Sequence, residues 1–285
     1  MIEVTSWAFT GDPRPGELDD WLLSVPFDRA RAMEVADPAR GAMGELAAVN
    51  ASYTFRMAVP GGAHVPVAGL TWVGVHTGHR RRGLLRAMMA DHLSDARGRG
   101  EVASALYAAE SEIYPRFGYG LAAQQLSLKV GRKASLRDVP GADDLTVRIE
   151  RLDRERHGGV MREVQSRMAR PGTMTLESEY ALQARFSDPE SDHRDSERLR
   201  IVVVEDGDSP VAYAVMRRKG DWGEDAMPSG KVRVEQHAAL TPASLHRLWS
   251  TLTDIDLTSA VHAAPFATDD PLLHQLGTRA ACAPR

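Results

Sequence analysis

The stretch of sequence that decides the fold is LTWVGVHTGHRRRGLLR, residues 70–86. The short apolar run that ends at Val75 predicts a strand, and the spacing of apolar residues after Gly83 predicts a helix. Between them lies a basic turn that contains glycine. Such a strand, turn and helix can aim backbone N–H groups and the positive end of a helix at one point, where phosphate oxygens bind.

Two interpretations of the basic turn are open. In the first, Gly83 lets the backbone approach a pyrophosphate closely, and the arginines at 80–82 add charge-assisted hydrogen bonds. In the second, the arginines are a solvated run at a helix start, where they oppose the helix dipole at an uncompensated cost. The turn is neither a Walker loop nor a dinucleotide fingerprint, which require Gly-Lys-Ser/Thr or further glycines. The dipole argument favours an anionic ligand.

Composition and charge exclude several classes of protein. The chain has 285 residues, 43% hydrophobic and 26% charged, which is enough for two ordinary domains. The net charge of −4 and the isolation of the basic run argue against a nucleic-acid partner. The single cysteine, Cys282, excludes an intramolecular disulfide and a cysteine-based zinc site. With no membrane-length apolar run and no signal-peptide pattern, the default expectation is a cytoplasmic enzyme or binding protein.

The histidines that flank the basic turn are expected to be structural. His79 and His92 do not have the spacing of a metal pair with an acidic partner, so we expect no metal site.

The pattern along the chain predicts an α/β (α+β) protein with two domains of similar element order. A linker that contains Pro140-Gly141 places the boundary at 130, which gives domains 1–130 and 131–285. Gly69 is expected to make the strand before the turn irregular, residues 28–36 to form a short helix, and the tail from 277 to be frayed.

Two motifs together resemble one family. The basic turn, followed by IYPRFGYG at residues 113–120, is similar to the enhanced intracellular survival (Eis) family of GNAT acetyltransferases. The general GNAT pattern, Arg/Gln-x-x-Gly-x-Gly/Ala, ends here on Leu85, a departure that the Eis-like branch shares. The resemblance is strong over 65–130 and weaker over 145–276. It implies two tandem GNAT-like domains, each a mixed, mostly antiparallel sheet flanked by helices.

The resemblance implies an acetyl-CoA co-substrate and an amine acceptor. The strand backbone at Val73, Gly74 and Val75 would pair with the pantetheine amides. The residues that would bind the pyrophosphate are Arg81, Arg82, Gly83, Leu84, Leu85 and Arg86. Beside the cofactor would lie Glu110 and Ala109, which replaces the family's serine. The acceptor pocket would contain Trp72, with Trp21 and Phe27 as further candidates.

Tyr114 would be the general acid that protonates the coenzyme A thiolate. A tyrosine hydroxyl can do this from within hydrogen-bond reach, although on residue type alone Tyr114 and Tyr119 are more often core or turn aromatics. The implied reaction is direct attack of an aminoglycoside, polyamine or lysine-type amine on the thioester.

The resemblance fails at the C-terminus. The family continues into a third domain similar to sterol carrier proteins, and its terminal carboxylate acts as the general base. This sequence ends at Arg285, so we expect a truncation near Gly277 and a missing base. The family also implies a homo-oligomer. The alternative function is a non-catalytic acyl-CoA-binding or regulatory module.

Overall fold

The computed structural model describes residues 2–9, 17–36, 45–193, 195–224, 226–277 and 281–284. In chain order the strands are β1 (Arg31–Val35), β2 (Glu45–Ala58), β3 (His64–Val75), β4 (Ala103–Ala105), β5 (Gln125–Gly131), β6 (Thr146–Arg151), β7 (Met174–Leu176), β8 (Arg200–Asp206), β9 (Ser209–Lys219), β10 (Gly230–Ala239), β11 (Thr258–Ala267) and β12 (Ala281–Pro284). The helices are α1 (Ile2–Phe9), α2 (Glu17–Ser24), α3 (Leu84–Gly98), α4 (Arg154–Ser166), α5 (Glu179–Phe186), α6 (Glu190–His193), α7 (Pro242–Thr253) and α8 (Leu272–Gln275). Among the described residues, no helix has the length and apolarity that crossing a membrane would require.

The chain forms two compact units. The first comprises Met1–Gly120 and Ala169–Pro189, and the second comprises Leu121–Met168 and Glu190–Arg285. This division differs from the single boundary expected at residue 130. The reason is that β5 pairs with β11 in the second unit, while β7 returns to pair with β2 in the first.

The first unit is built on a five-stranded sheet in the order β1-β2-β3-β4, with β7 beside β2. Only β3 and β4 are parallel to each other. Helix α3 buries Met88, Met89 and His92, whereas Leu93 is 39% exposed. The predicted mixed, mostly antiparallel sheet flanked by helices is therefore confirmed here.

The helix expected over 28–36 is wrong. These residues form the end of a 3₁₀ turn (Phe27–Arg29) and strand β1, which pairs antiparallel with the start of β2. A buried ion pair fixes the turn, because the Arg29 guanidinium donates to both carboxylate oxygens of Glu101 at 2.7 Å. Local helical spacing gives way to the pairing that β2 offers.

The irregularity in β3 lies three residues after the expected position. Gly69 pairs in register with Tyr53, and it must be glycine because a Cβ there would come within 2.2 Å of the Phe55 ring. The bulge is at Trp72, which has φ +56°.

The second unit is a seven-stranded sheet in the order β12-β5-β11-β10-β9-β8-β6. Helix α7 begins with a capping box between Thr241 and Ser244, and it buries Leu248 and Trp249. The tail that was expected to be frayed includes β12, which pairs antiparallel with β5.

Candidate active site

The parallel strands β3 and β4 of the first unit pair over three residues and then diverge. Val67–Gly69 of β3 pairs with β4, and β3 then continues to Val75 with no described strand on that side. On the other side, β2 pairs Ala51 with Thr71 and Val49 with Gly74, so Trp72 and Val73 together face one residue. Such a bulge bends a strand and increases its twist. The carboxyl ends of β3 and β4 therefore border an open wedge, and beyond Gly69 no described strand pairs with this edge of β3.

The predicted backbone residues Val73, Gly74 and Val75 lie on this open length of β3. Gly74 is buried, and a Cβ there would lie 3.3 Å from the Ala8 Cβ in α1. A side chain at this position would push α1 from the strand. The glycine thus lets a helix cover one face of β3 while the strand edge stays open.

The turn between β3 and α3 has the backbone of an anion site. Arg81 and Gly83 both have positive φ, of 62° and 80°, and Gly83 is the helix N-cap. No side chain caps the helix, and its first turn contains no acidic residue. The amides of residues 84–86 are therefore left for water or a ligand. Successive N–H groups at such a reversal form a concave nest for anions.

The arginines of this turn have no protein counter-charge. Arg80, Arg81, Arg82 and Arg86 are exposed, and within the described ranges none of them forms an ion pair. Four guanidinium groups thus lie near the positive end of a helix, which is unfavourable without an anion. Leu84 and Leu85, also predicted to bind, form the first turn of α3 and are half-buried.

The second part of the site follows β4. Two 3₁₀ turns, Ser111–Ile113 and Pro115–Phe117, enclose Tyr114. Beside them is an open cleft of about 620 Å³. Its lining residues are Ala109, Glu110, Ser111, Glu112, Ile113 and Arg116. The predicted residues Ala109 and Glu110 therefore line this cleft, and the carboxylates at its border are those of Glu110 and Glu112.

Tyr114 is half-buried and held by a neighbouring ring. Its ring meets that of Tyr119 edge to face, with centroids 5.8 Å apart and planes at 68°. Burial, and then the negative charge of Glu110, raises the pKa of Tyr114 above the ordinary tyrosine value. The hydroxyl therefore keeps its proton at neutral pH, as a general acid must.

A hydrogen-bond chain holds Tyr119 in turn. Its hydroxyl lies 2.6 Å from Oγ of Ser104, which lies 2.8 Å from Nε2 of His92. Burial, and then the charge of Arg29, lowers the pKa of His92, so the ring is neutral at pH 7 and a nitrogen can accept from Ser104. The sequence predicts a structural role for His92 and carries no signal for Ser104. Only the pairing of β3 with β4 brings helix α3, Ser104 and Tyr119 together.

The predicted acceptor residues stand apart from the cleft. Trp72 is half-buried, and its side chain hydrogen-bonds the Tyr53 hydroxyl, which donates to Ser24 O at 2.8 Å. Phe27 is 55% exposed at the 3₁₀ turn before β1. Neither Trp72 nor Phe27 is among the residues that line the cleft. The side chain of Trp21, in α2, lies outside the described residues.

Comparison with known proteins assigns both halves of the chain to one kind of domain. Residues 1–122 and residues 178–285 each match a family model described as an acetyltransferase (GNAT) domain. Among solved structures, Eis1 from Mycobacterium abscessus has a TM-score of 0.76 at 24% identity, covering 100% of this chain and 67% of that chain. At this identity the likeness shows the fold alone, which is two tandem GNAT-like domains.

The curated relatives of this chain are also named as N-acetyltransferases. An uncharacterized N-acetyltransferase of Streptomyces avermitilis is 37% identical over 265 residues, covering 90% of this chain and 61% of the relative. A second one from that organism is 31% identical over 288 residues, covering 93% and 68%. N-acetyltransferase Eis of Mycobacterium bovis is 38% identical over 143 residues, covering 50% and 35%. The chain spans less than two thirds of the length of the first of these relatives.

Proposed function

Because the chain belongs to the GNAT acetyltransferase family, we propose that it transfers an acetyl group from acetyl-CoA to an amine, with the first unit as the catalytic unit. The observation that carries this proposal is the turn between β3 and α3. It presents uncapped amides and unpaired arginines at the carboxyl end of a strand whose edge is open. Acetyl-CoA needs both features, since its pyrophosphate is anionic and its pantetheine arm carries two amides.

Two parts of acetyl-CoA, its pyrophosphate and its pantetheine arm, have candidate partners in the first unit. The pyrophosphate would lie against the amides after Gly83 and the guanidinium groups of Arg81, Arg82 and Arg86. The pantetheine amides would hydrogen-bond the open edge of β3 at 73–75 as an added strand would.

The chemistry that we propose is direct transfer. The amine nitrogen attacks the thioester carbonyl carbon, the C–S bond breaks, and the leaving thiolate takes the hydroxyl proton of Tyr114. The amine proton leaves to water or to a carboxylate of the cleft, Glu110 or Glu112. Holding both reactants side by side supplies much of the rate through proximity.

The acceptor that we propose is a polyamine-type, aminoglycoside-type or lysine-type amine. The two carboxylates of the cleft support a cationic acceptor, and the similarity to Eis over half of the chain agrees with this class. Homo-oligomers and a cytoplasmic location, where acetyl-CoA is made, belong to the same proposal. Light scattering on the purified chain tests the oligomer.

Calorimetry with acetyl-CoA tests the cofactor site. We expect binding by the wild-type chain, and loss of most of it in the double variant Arg81→Ala/Arg82→Ala, with a marked dependence on salt. Arg97→Ala is the matched control, because Arg97 is an exposed arginine at the other end of the same helix. The proposed cofactor site is refuted if the wild type does not bind acetyl-CoA, or if the control variant loses as much affinity as the double variant.

A thiol-release assay with a panel of polyamines, aminoglycosides and lysine peptides tests turnover. Release that depends on both acetyl-CoA and an amine supports the transferase. Tight acetyl-CoA binding without release for any amine would favour the alternative, a non-catalytic acyl-CoA-binding module.

A further inference from the structure

We propose that Glu45, His76 and His79 form a binding site for one divalent transition-metal ion, of which Zn²⁺ fits best. The site lies at the 3₁₀ turn Thr77–His79. This turn directly precedes the basic turn at residues 80–83, which we call the arginine turn. It does not depend on the transferase proposal, because no acetyl-CoA or amine takes part in it.

The sequence gives the two histidines a common face. His76-Thr77-Gly78-His79 spans one 3₁₀ turn, in which side chains three residues apart are eclipsed. The His79 N–H donates to the His76 carbonyl at 2.9 Å, which closes the turn. Histidines at this spacing in such a turn therefore point the same way.

The fold then brings a carboxylate to the turn. The His76 N–H donates to Ala47 O at 2.8 Å, which extends the β2–β3 ladder by one residue. Glu45 lies two residues before Ala47 on β2, so the ladder places it beside the two imidazoles. It is 31 positions away from His76 in the sequence, which is why spacing alone indicated no acidic partner.

The distances suit a shared ion. One candidate ligand atom from each of the three residues lies within 4.8 Å of the other two. Nε2 of His79 is 3.6 Å from Oε2 of Glu45, and the imidazole centroids are 5.5 Å apart. Zinc ligands lie about 2.0–2.2 Å from the ion, so the atoms must draw closer. The Glu45 side chain is 53% exposed and can rotate to do so.

His79 lacks the partners that a buried imidazole requires. Its side chain is only 12% exposed, and its Nδ1 is buried with no hydrogen-bond partner among the described residues. Its Nε2 is beyond hydrogen-bond distance of Glu45. A buried polar group without a partner is costly and calls for a physical explanation. An ion bound through Nδ1 would give that atom its partner, and an ion bound through Nε2 would bridge the 3.6 Å between Nε2 and Oε2 of Glu45.

The donor set selects the class of metal. Two imidazole nitrogens and one carboxylate oxygen are a common zinc set that leaves a fourth position for water. Ca²⁺ and Mg²⁺ prefer oxygen ligands, so this set disfavours them. Nδ1 of His76 accepts from the exposed Gly78 N–H at 3.1 Å. Its lone pair is therefore present, and the metal bond would replace a hydrogen bond that water can take over.

Metal titration of the tag-free, chelator-treated full chain tests the site, since a histidine tag would itself bind zinc. We expect calorimetry with ZnCl₂ to give one ion per chain. Glu45→Gln and the double variant His76→Gln/His79→Gln should each weaken binding by at least about tenfold. His274→Gln, which changes an exposed histidine of the second unit, should bind as the wild type does.

A variant that exchanges one metal ligand for another distinguishes a lost site from a misfolded protein. His79→Cys replaces one zinc ligand by another, so it should still bind, and with Co²⁺ it should gain a sulfur-to-cobalt charge-transfer band. The proposal is overturned if the wild type does not bind one ion, if the double histidine variant binds as tightly, or if His79→Cys shows no such band. Failure here leaves the calorimetry with acetyl-CoA unaffected, and so distinguishes the two proposals.

Discussion

Replacing Gly83 by alanine tests how much the left-handed backbone at this position contributes to acetyl-CoA binding. Gly83 has φ +80°, and a Cβ built there meets no atom within 4 Å. The substitution therefore adds backbone strain without a clash. For an L-residue, the left-handed conformation costs roughly 1–2 kcal/mol. The free turn of the variant will relax from this conformation, and acetyl-CoA must restore it on binding.

This strain sets the size of the expected effect. At about 1.4 kcal/mol per factor of ten, the variant should bind acetyl-CoA roughly 5–30-fold more weakly. Calorimetry on the wild type and the variant, at one ionic strength, measures this ratio directly.

Gly100 provides a matched control beyond the opposite end of helix α3. It has φ +76°, and a Cβ there also meets nothing within 4 Å. Gly100→Ala should therefore lower the free energy of unfolding by a similar amount but leave acetyl-CoA binding unchanged. Gly83→Ala should lose less stability than Gly100→Ala, because its free turn relaxes. If it does so and still binds acetyl-CoA as the wild type does, the turn does not hold the phosphates.

Four further predictions concern single side chains of the first unit. Tyr114→Phe should lower kcat about 10²–10⁴-fold and leave the acetyl-CoA Kd unchanged; because Glu110 helps raise the pKa of Tyr114, Glu110→Gln should move the alkaline limb of the pH–rate profile to lower pH. Ser104→Ala breaks the hydrogen-bond chain behind Tyr119 and should lower kcat without changing the Kd, whereas a loss confined to the Kd would contradict a positioning role. Glu101→Gln leaves the Arg29 charge buried without its partner and should reduce the unfolding free energy by about 3–5 kcal/mol in urea, most of which Arg29→Met/Glu101→Leu should restore.

What the sequence could predict is what local chemistry determines. Helix α3 begins after Gly83 and α7 begins after Thr241, because a glycine or a cap with a following proline marks the first residue of each helix. The arginine turn could also be recognised from local sequence. Its residues are contiguous, and their charge conflicts with the helix dipole unless an anion is present.

What the sequence could not predict depends on distant partners. Strand β1 forms because β2 pairs with it, and residues 28–36 carry no local signal of this pairing. The bulge falls at Trp72 rather than Gly69, since the register against β2 decides it and not the residue type. Glu45 meets His79 only after that ladder is built.

The return of β7 to the first sheet has a consequence for how the chain acquires its structure. The edge of β2 that pairs with β7, at Phe55–Met57, has no partner until residues 174–176 have left the ribosome. The side chains of Tyr53 and Phe55, which pack against α5, stay uncovered until residues 179–186 have followed. The first unit therefore cannot mature before the leading segment of the second unit, Leu121–Met168, has been synthesised. A fragment cut at residue 120 would expose an unpaired strand edge, which is a site for aggregation. A shortened catalytic fragment should instead join residues 1–120 to 169–189 through a designed linker.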